Sequence, residues 1–301
     1  MAQWITVFAA CVLLIAPFDR VQAQPTTAVT DGLERPTIEF IVGLPASPSR
    51  EAYLAALDSA LSEAGYGVTI SFREAPLTQV RMRLLLTEEP NRIGLVLLQS
   101  MIRSNREPAD AAAALLSAPA GLLDLESHRR AQLGPIGDAA RSEVGQPDLF
   151  ALRLWTHSTL SLVSTVGLDD LPAFDGTAIA TSDPLGSEFL VGLGAAVLDV
   201  PVTEVPLAMQ RGQLSGAVFP AHMLDTETLS FVGANSIVPD YQIETAATMA
   251  SRDWWLSLRA REHREVLDAL EAAEAAAAEA VASVSERLRS EVLEADTELR
   301  P

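Results

Sequence analysis

The region from residue 37 to residue 116 alternates short apolar segments with amphipathic ones, and this alternation constrains the fold more than any other feature of the sequence. The apolar segments are rich in β-branched residues and predict buried strands at 37–43, 68–72 and 92–99. A helix is predicted after each strand, and the three helices begin near Ser47, Leu77 and Glu107. This β-α-β-α-β-α order predicts an α/β fold with a parallel sheet flanked by helices.

The rest of the chain repeats this pattern less regularly and then ends in one long helix. Strands are predicted at 149–155, 159–165, 177–181 and 215–219, and helices at 125–144, 187–197 and 205–211. Residues 259–299 are rich in alanine and glutamate and predict a helix about 60 Å long. One face of it carries an apolar stripe, which runs from Val266 to Val292. We therefore expect two α/β lobes that are joined by crossing segments and closed by this helix.

The charge of the chain excludes several classes of function. The 40 acidic residues outnumber the 21 basic ones, which gives a formal net charge of −19. An acidic protein repels the phosphate backbone of DNA and RNA, so a nucleic-acid partner is not expected. Every basic residue is an arginine, which excludes Schiff-base chemistry and the lysine of a phosphate-binding loop. The single cysteine, Cys11, excludes an intramolecular disulfide.

The N-terminus has the pattern of a secretory signal peptide. The segment WITVFAACVLLIAPF covers residues 4–18, and DRVQA follows it and ends at the small residue Ala23. A bilayer span takes about 20 apolar residues, so this run is short for a membrane anchor. We expect residues 1–23 to be removed on export to the periplasm and residues 24–36 to form a polar linker. A retained anchor and a cytoplasmic core segment are the alternatives.

No motif in the chain specifies a reaction. The nucleophile elbow GxSxG and the zinc motif HExxH are both missing from the sequence. His128 and His263 lie on predicted helices beside arginines and are expected to face solvent, whereas His157 and His222 follow strands and could face a cleft. The glutamates of the last helix, Glu274 among them, are expected to form a solvated face. Neither catalysis nor a metal or organic cofactor is expected.

An ordered set of short motifs occupies residues 168–258. LDDLPAFDGTAIAT fills 168–181, LGA begins at Leu193, EV begins at Glu204, and AMQRGQLSG ends at Gly216. MASRDWWLSL follows at 249–258, just before the alanine-rich helix. In these motifs the chain resembles the DctP family, the extracytoplasmic solute-binding proteins of TRAP (tripartite ATP-independent periplasmic) transporters. The resemblance runs from about residue 37 to the C-terminus.

The resemblance implies a two-lobed, periplasmic-binding-protein type II-like fold, with mixed sheets flanked by helices and a long C-terminal helix. Lobe I is expected to comprise 37–156 and about 220–255. Lobe II is expected to comprise 157–219 and the C-terminal helix 256–301. In the family, a small organic solute closes the lobes around a cleft, and the closed form docks on the permease subunits in the membrane. The solute is expected to carry a carboxylate.

Several family positions carry unexpected residues in this chain. The family arginine that pairs with the ligand carboxylate aligns with Ala180, and a second arginine falls near Leu160. The aspartate of the family motif VDG aligns with Ser215, the tyrosine of EVY aligns with Pro206, and a polar ligand contact falls near Phe219. A bidentate guanidinium is the usual partner of a buried carboxylate. We therefore expect either a monoanion that another arginine, Arg50 or Arg153, anchors, or a largely neutral solute.

Eight side chains are therefore candidates for contact with a solute. Most follow the ends of predicted strands, where ligands of open α/β sheets bind. The candidates are Arg50, Arg153, Trp155, Ser158, Thr181, Ser182, Phe219 and His222. Two alternatives remain: a family member without transport that acts as a sensor or protein-interaction module, and an enzyme on the same scaffold.

Overall fold

The computed structural model describes residues 35–73, 77–102, 111–119, 124–168 and 171–299. Within these ranges the chain forms eight strands and ten helices, in the order expected of an α/β fold. The strands are β1 Thr37–Gly43, β2 Gly67–Phe72, β3 Arg92–Leu97, β4 Leu149–Ser164, β5 Ala178–Ala180, β6 Ala196–Leu198, β7 Gly216–Pro220 and β8 Ser236–Ser251. The helices are α1 Pro48–Glu63, α2 Gln79–Thr87, α3 Ala111–Leu116, α4 Leu125–Leu133, α5 Pro135–Val144, α6 Pro184–Gly192, α7 Val205–Gln210, α8 Thr226–Val232, α9 Arg252–Ser257 and α10 Ala260–Leu299.

All eight strands form one continuous sheet in the order β2-β1-β3-β8-β4-β7-β5-β6. The pairs of β1 with β2 and β3 are parallel, and so are those of β5 with β6 and β7. Strands β4 and β8 have 16 residues each and pair antiparallel from Leu149↔Ser251 to Ser164↔Ser236. Because of their length, β4 and β8 run through both halves of the sheet. Its first half is β2, β1 and β3 with the adjoining parts of β8 and β4, and its second half is the remainder.

The parallel sheet predicted for residues 37–116 is confirmed, and local signals explain its first helix. Ser47 is the N-cap of α1, and its hydroxyl accepts a hydrogen bond of 3.1 Å from the amide of Arg50. Tyr53, Leu57 and Leu61 lie on one face of α1 and are buried. The third helix, predicted at 107–116, begins in the described residues at Ala111, and residues 103–110 lie outside them.

The middle of the chain differs from the prediction in three places. The strands predicted at 149–155 and 159–165 are one strand, β4, whose register shifts at three points. The helix predicted at 125–144 is two helices, because Gly134 and Pro135 end α4 and begin α5. The helix predicted at 187–197 begins earlier, where the Asp183 side chain caps α6, and β6 follows it.

Helix α10 packs along both halves of the sheet through the predicted apolar stripe. Val266, Leu270 and Ala273 are buried in one core with residues of α1 and β1. Farther along the helix, Leu288 is buried in another core with residues of α7 and α8. The stripe prediction is confirmed, because these residues and Ala277 are at most 1% exposed. One helix therefore connects two cores through its packing.

Two predictions fall outside the described residues or are not tested by them. The signal peptide at 1–23 lies outside, as does all but the end of the linker at 24–36. The lobe boundaries stay a prediction. Among the described residues, no helix is long and apolar enough to cross a membrane.

Candidate functional site

The two halves of the sheet meet where several strands end. Strands β1 and β3 end on one side of the middle of β4 and β8, and β5 and β7 end on the other side. In open α/β sheets, ligands bind beyond the carboxyl ends of parallel strands. Two groups of buried polar side chains lie here, and each contains residues from both sides.

The first group surrounds a small cavity, which we call the serine–histidine cavity. Its polar residues are Ser47, Ser49, His157, Ser158 and His222, and its volume of about 10 Å³ is close to the space that one water molecule needs. Helix α10 forms an apolar wall of the cavity through Val281 and its neighbours. The cavity therefore joins the loop after β1, the middle of β4, the turn after β7 and the long helix.

Local hydrogen bonds fix the serines of this cavity. The hydroxyls of Ser47 and Ser49 lie 3.0 Å apart, and Ser49 also donates to the carbonyl oxygen of His157. The Nδ1 atoms of His157 and His222 have no hydrogen-bond partner in the described part of the chain. Both nitrogens are buried, and a neutral imidazole nitrogen can donate or accept a hydrogen bond according to its tautomer.

Both imidazoles of the cavity are held in the neutral form. Burial, with smaller contributions from the nearby His222 and Arg50, lowers the pKa of His157 to about 3. Burial also lowers the pKa of His222, with a smaller contribution from Arg287. At neutral pH the cavity therefore offers hydroxyls and uncharged rings.

The second group, which we call the acid cluster, consists of Asp183, Gln242 and Glu244 with Gln99 and Tyr241 around them. Asp183 Oδ2 accepts a hydrogen bond of 2.5 Å from the amide of Gly186, at the start of α6. It accepts another, of 2.9 Å, from Nε2 of Gln242 on β8. The cluster meets the serine–histidine cavity in the sheet itself, because Glu244 is the cross-strand partner of Ser158.

The amide of Gln242 connects the two sides of the junction. Its Nε2 donates to Asp183 in the second half and, at 2.9 Å, to the carbonyl oxygen of Ser117, which follows α3. All three residues are at most 5% exposed. A buried amide with two such partners holds the halves together, and separation of the halves would break one of these bonds.

The pKa values of both carboxyl groups of the acid cluster are raised. Burial and, to a smaller extent, the nearby Asp183 raise the pKa of Glu244 to about 7, although a hydrogen bond from Gln99 opposes the shift. Burial also raises the pKa of Asp183, although its hydrogen bonds from Gln242 and from the α6 backbone act in the opposite direction. Buried carboxylates with raised pKa values are typical of functional sites.

The structure brings four of the eight candidate residues to this junction. Ser158 and His222 line the serine–histidine cavity. Thr181 is buried beside the acid cluster, and its hydroxyl accepts a hydrogen bond of 3.3 Å from the amide of Asp183. Ser182 lies between them in the chain and is exposed.

The other four candidates have partners of their own. Trp155 is buried and stacks on Tyr53 with 4.1 Å between ring centroids. Phe219 is 1% exposed in the core that contains Leu288. Arg153 forms ion pairs with Glu271 and Glu274 of α10. Arg50 pairs with Glu51, donates to the Leu44 carbonyl and lies over the Phe72 ring. Their contact with a solute stays a prediction.

Two solvent-facing expectations are wrong. His128 is 3% exposed, because its ring bonds the Leu116 carbonyl oxygen and the Thr245 hydroxyl below the junction. The Glu274 side chain is 13% exposed, because it packs beside Arg153, and burial raises its pKa to about 7. Helical position alone does not reveal which face a neighbouring element covers.

Five residues of the junction are not predicted as site residues from the sequence: Ser47, Ser49, Asp183, Gln242 and Glu244. A signal existed for Asp183, since an acid before Pro184 at the end of a strand is typical of a helix N-cap. Glu244 and Gln242 are polar residues in a mostly apolar stretch. Because no strand is predicted at β8, the sequence does not indicate where these two side chains lie.

Comparisons with known proteins agree on one family. The family model DctP, described as bacterial extracellular solute-binding protein, family 7, matches residues 101–301. A TRAP periplasmic solute-binding protein from Shewanella oneidensis with bound succinate has 15% identity and a TM-score of 0.65, over 88% of this chain and 86% of that one. The apo form of the ectoine-binding protein TeaA of the TeaABC TRAP transporter has 15% identity and a TM-score of 0.67, over 86% and 83%.

A third similar structure binds a different solute. A TRAP periplasmic solute-binding protein from Desulfovibrio desulfuricans with bound sn-glycerol-3-phosphate has 16% identity and a TM-score of 0.63, over 86% and 83% of the two chains. No curated protein matches this chain. At these identities the structures establish a shared fold, and the two-lobed architecture expected from the sequence is confirmed.

Proposed function

Because the chain belongs to the DctP family of bacterial extracellular solute-binding proteins, we propose that it is the solute receptor of a TRAP-type transporter. It binds a small organic solute between the two halves of its sheet and delivers the solute to permease subunits in the membrane. The observation that carries this proposal is the junction itself, where two groups of buried polar side chains contain residues from both halves.

Closure of the halves is the mechanism by which a solute acts. A ligand shifts an equilibrium between open and closed forms only by binding the closed form more tightly. A solute that contacts Ser49 on one side and His222 on the other satisfies this condition, because the two residues follow strands of different halves. The hydrogen bonds of Gln242 to Ser117 and Asp183 add to the stability of the closed form.

We propose Ser158, Thr181 and His222 as solute contacts, and Arg50 as the better placed of the two candidate arginines for an anionic group. Arg50 lies close enough to His157 to lower the pKa of its imidazole. Arg153 is engaged by two glutamates of α10, in a groove that also contains Trp155. A carboxylate on the solute would thus lie toward the serine–histidine cavity and the start of α1, where the helix dipole favours an anion.

The proposal predicts that a small solute stabilises the protein. A ligand that binds only the folded state raises the melting temperature by mass action, by about 2.7 kcal/mol at a hundredfold excess over Kd. We expect at least one solute in a thermal-shift screen of carboxylates, amines, zwitterions and sugar acids to do so. The screen uses protein purified from cells that express the full chain. Variant Ser158→Ala should reduce the shift, and Ser62→Ala, on the outer face of α1, should not.

A sensor or protein-interaction module without transport is the second candidate function. The observation that favours it is Ala180, which the family resemblance aligns with the ligand-binding arginine and which is 1% exposed in an apolar core. A screen in which no class of solute changes the melting temperature would contradict the receptor proposal and support this alternative.

Export is a separate expectation, since it depends on residues outside the described part of the chain. The apolar run at 4–18 and the small residue Ala23 before Gln24 predict cleavage after Ala23. N-terminal sequencing of the protein from a periplasmic fraction should therefore begin at or near Gln24. Recovery of uncleaved protein from the cytoplasm alone would contradict export.

A further inference from the structure

The acid cluster contains more hydrogen-bond acceptors than donors. Asp183 and Glu244 contribute carboxyl oxygens, and Gln242 uses its donor nitrogen on Asp183 and Ser117. Asp183 Oδ1 and Gln242 Oε1 are left without a hydrogen-bond partner in the described part of the chain. Unsatisfied buried acceptors are costly, because they lose water and gain nothing in return. The group that satisfies them must bring N–H or O–H donors.

The cluster also lacks a positive charge. Among the described residues, no arginine forms a hydrogen bond or ion pair with Asp183, Glu244 or Gln242. The two carboxyl groups lie close enough for each ionisation to oppose the other, and both are at least nine-tenths buried. A buried acid is ordinarily paired, coordinated or neutralised by a proton, and a cationic ligand at this place would supply the pairing that the described residues do not give.

A neighbouring side chain gives independent support for a ligand at this place. Tyr241 precedes Gln242 on β8, is 4% exposed, and its hydroxyl has no hydrogen-bond partner in the described residues. Asp183 is near enough to raise the pKa of this phenol. Buried tyrosine hydroxyls are usually hydrogen-bonded, so a free one beside unpaired acids indicates a missing polar group.

We propose that Asp183 and Glu244 bind the protonated nitrogen of the solute, and that the solute is therefore a primary amine or an amidine, or a zwitterion that contains one. This inference rests on the proposed function, since it assigns the chemistry of the solute at the same junction. Each N–H of an ammonium or amidinium group donates to one of the free acceptors, and its charge pairs with the two carboxylates. A quaternary ammonium has the charge without the donors, and a dicarboxylate repels the cluster.

A calcium ion is the main competing occupant. It takes six to eight oxygen ligands at 2.3–2.6 Å, and it accepts carboxylates and amide carbonyls. The described residues contain no group of three or more acidic, histidine or cysteine side chains arranged to hold a metal. The cluster offers only two carboxylates, and its tyrosine hydroxyl is a poor calcium ligand, so the cluster fits an N–H donor better.

Isothermal titration calorimetry with defined probes tests the proposal. The probes are cadaverine and agmatine as N–H cations, γ-aminobutyrate as a zwitterion with an N–H cationic group, choline as a quaternary ammonium, succinate as a dianion, and calcium chloride. We expect at least one N–H cation to bind, and choline, succinate and calcium to bind at least about tenfold more weakly. Variants Asp183→Asn and Glu244→Gln should each weaken the cation about 30-fold or more, since one partner of a buried charge pair is removed.

Matched variants separate binding from folding. Asparagine caps a helix as well as aspartate does, so Asp183→Asn keeps the α6 cap. Asp225→Asn makes the same change at the exposed cap of α8, and it should leave affinity unchanged. Tyr241→Phe keeps the ring that contacts Phe189 and removes only the hydroxyl, and it should weaken the cation several-fold.

The possible failures are distinguishable. If succinate binds tightest and neither acid variant weakens it, the amine inference is overturned and the receptor proposal stands. If calcium binds and both acid variants abolish its binding, the cluster is a metal site and the inference is overturned. If no probe binds and the wider solute screen is also negative, the receptor proposal fails and the inference fails with it.

Discussion

Replacement of Glu244 by glutamine is expected to raise the melting temperature of the solute-free protein at pH 8 and to leave it nearly unchanged at pH 4. The folded-state pKa of Glu244, about 7, lies above the value of about 4.3 of an unperturbed glutamate. The contribution of such a group is fully present below pH 4.3 and is lost as the pH rises through 7. Glutamine cannot ionise and so removes that loss.

The expected gain at pH 8 is about 2 kcal/mol, or a few degrees in melting temperature. Asp183 is the charged group that faces Glu244, and its side chain carries the same sign of charge, while Gln99 and Ser158 are neutral. Thermal unfolding of both proteins at pH 4 and pH 8, without solute, measures the effect.

A surface glutamate supplies the control. Glu279 is exposed on α10, so Glu279→Gln should change the melting temperature little at either pH. An equal change at both pH values, or a loss of stability at pH 8, would show that Glu244 is paired in the folded state. If Glu244→Gln raises the melting temperature at pH 8 and also weakens amine binding, then Glu244 serves binding and lowers the stability of the solute-free protein.

Phe219→Ala is expected to destabilise the protein by about 3–5 kcal/mol, the largest effect that we predict for a single substitution. The ring is fully buried at the end of β7, in one core with Val205, Leu229 and Leu288. Truncation leaves a cavity between the sheet and α10 that the surrounding helices can fill only in part. Urea-induced unfolding measures the change.

Phe231 is the matched control for Phe219. It is 46% exposed on α8, and Phe231→Ala should cost less than about 1 kcal/mol. The sequence alone predicts that Phe219 contacts the solute. If Phe219→Ala keeps its stability and loses solute binding, the ring acts on the ligand and not as core packing.

The sequence determined the elements whose signals are local. Ser47 marks the start of α1, the buried stripe of α10 repeats at helical spacing, and strands β1 to β3 are short runs of β-branched residues. The ordered motifs over 168–258 were enough to indicate the family. Each of these signals lies within a few turns of chain, where spacing and capping decide the outcome.

Only the tertiary structure decided the continuity of the sheet. Strand β4 pairs with β8 along its whole length, and register shifts interrupt its alternation near Thr156 and Leu160. In β8, the polar residues Gln242 and Glu244 lie among buried residues. Its sequence therefore does not show the alternation of polar and apolar residues that is typical of a half-buried strand. Its conformation depends on β3 and β4, which lie far away in the chain.

The acid cluster shows most clearly which properties depend on the tertiary structure and not on the local sequence. Gln242 donates to Ser117, 125 residues away, and to Asp183, 59 residues away. In the sequence Asp183 has only the pattern of a helix cap, and Glu244 is one acid among 40. Burial and mutual proximity give these residues their raised pKa values and unpaired oxygens. Both properties come from the packing of two distant segments against each other, so a local pattern cannot contain them.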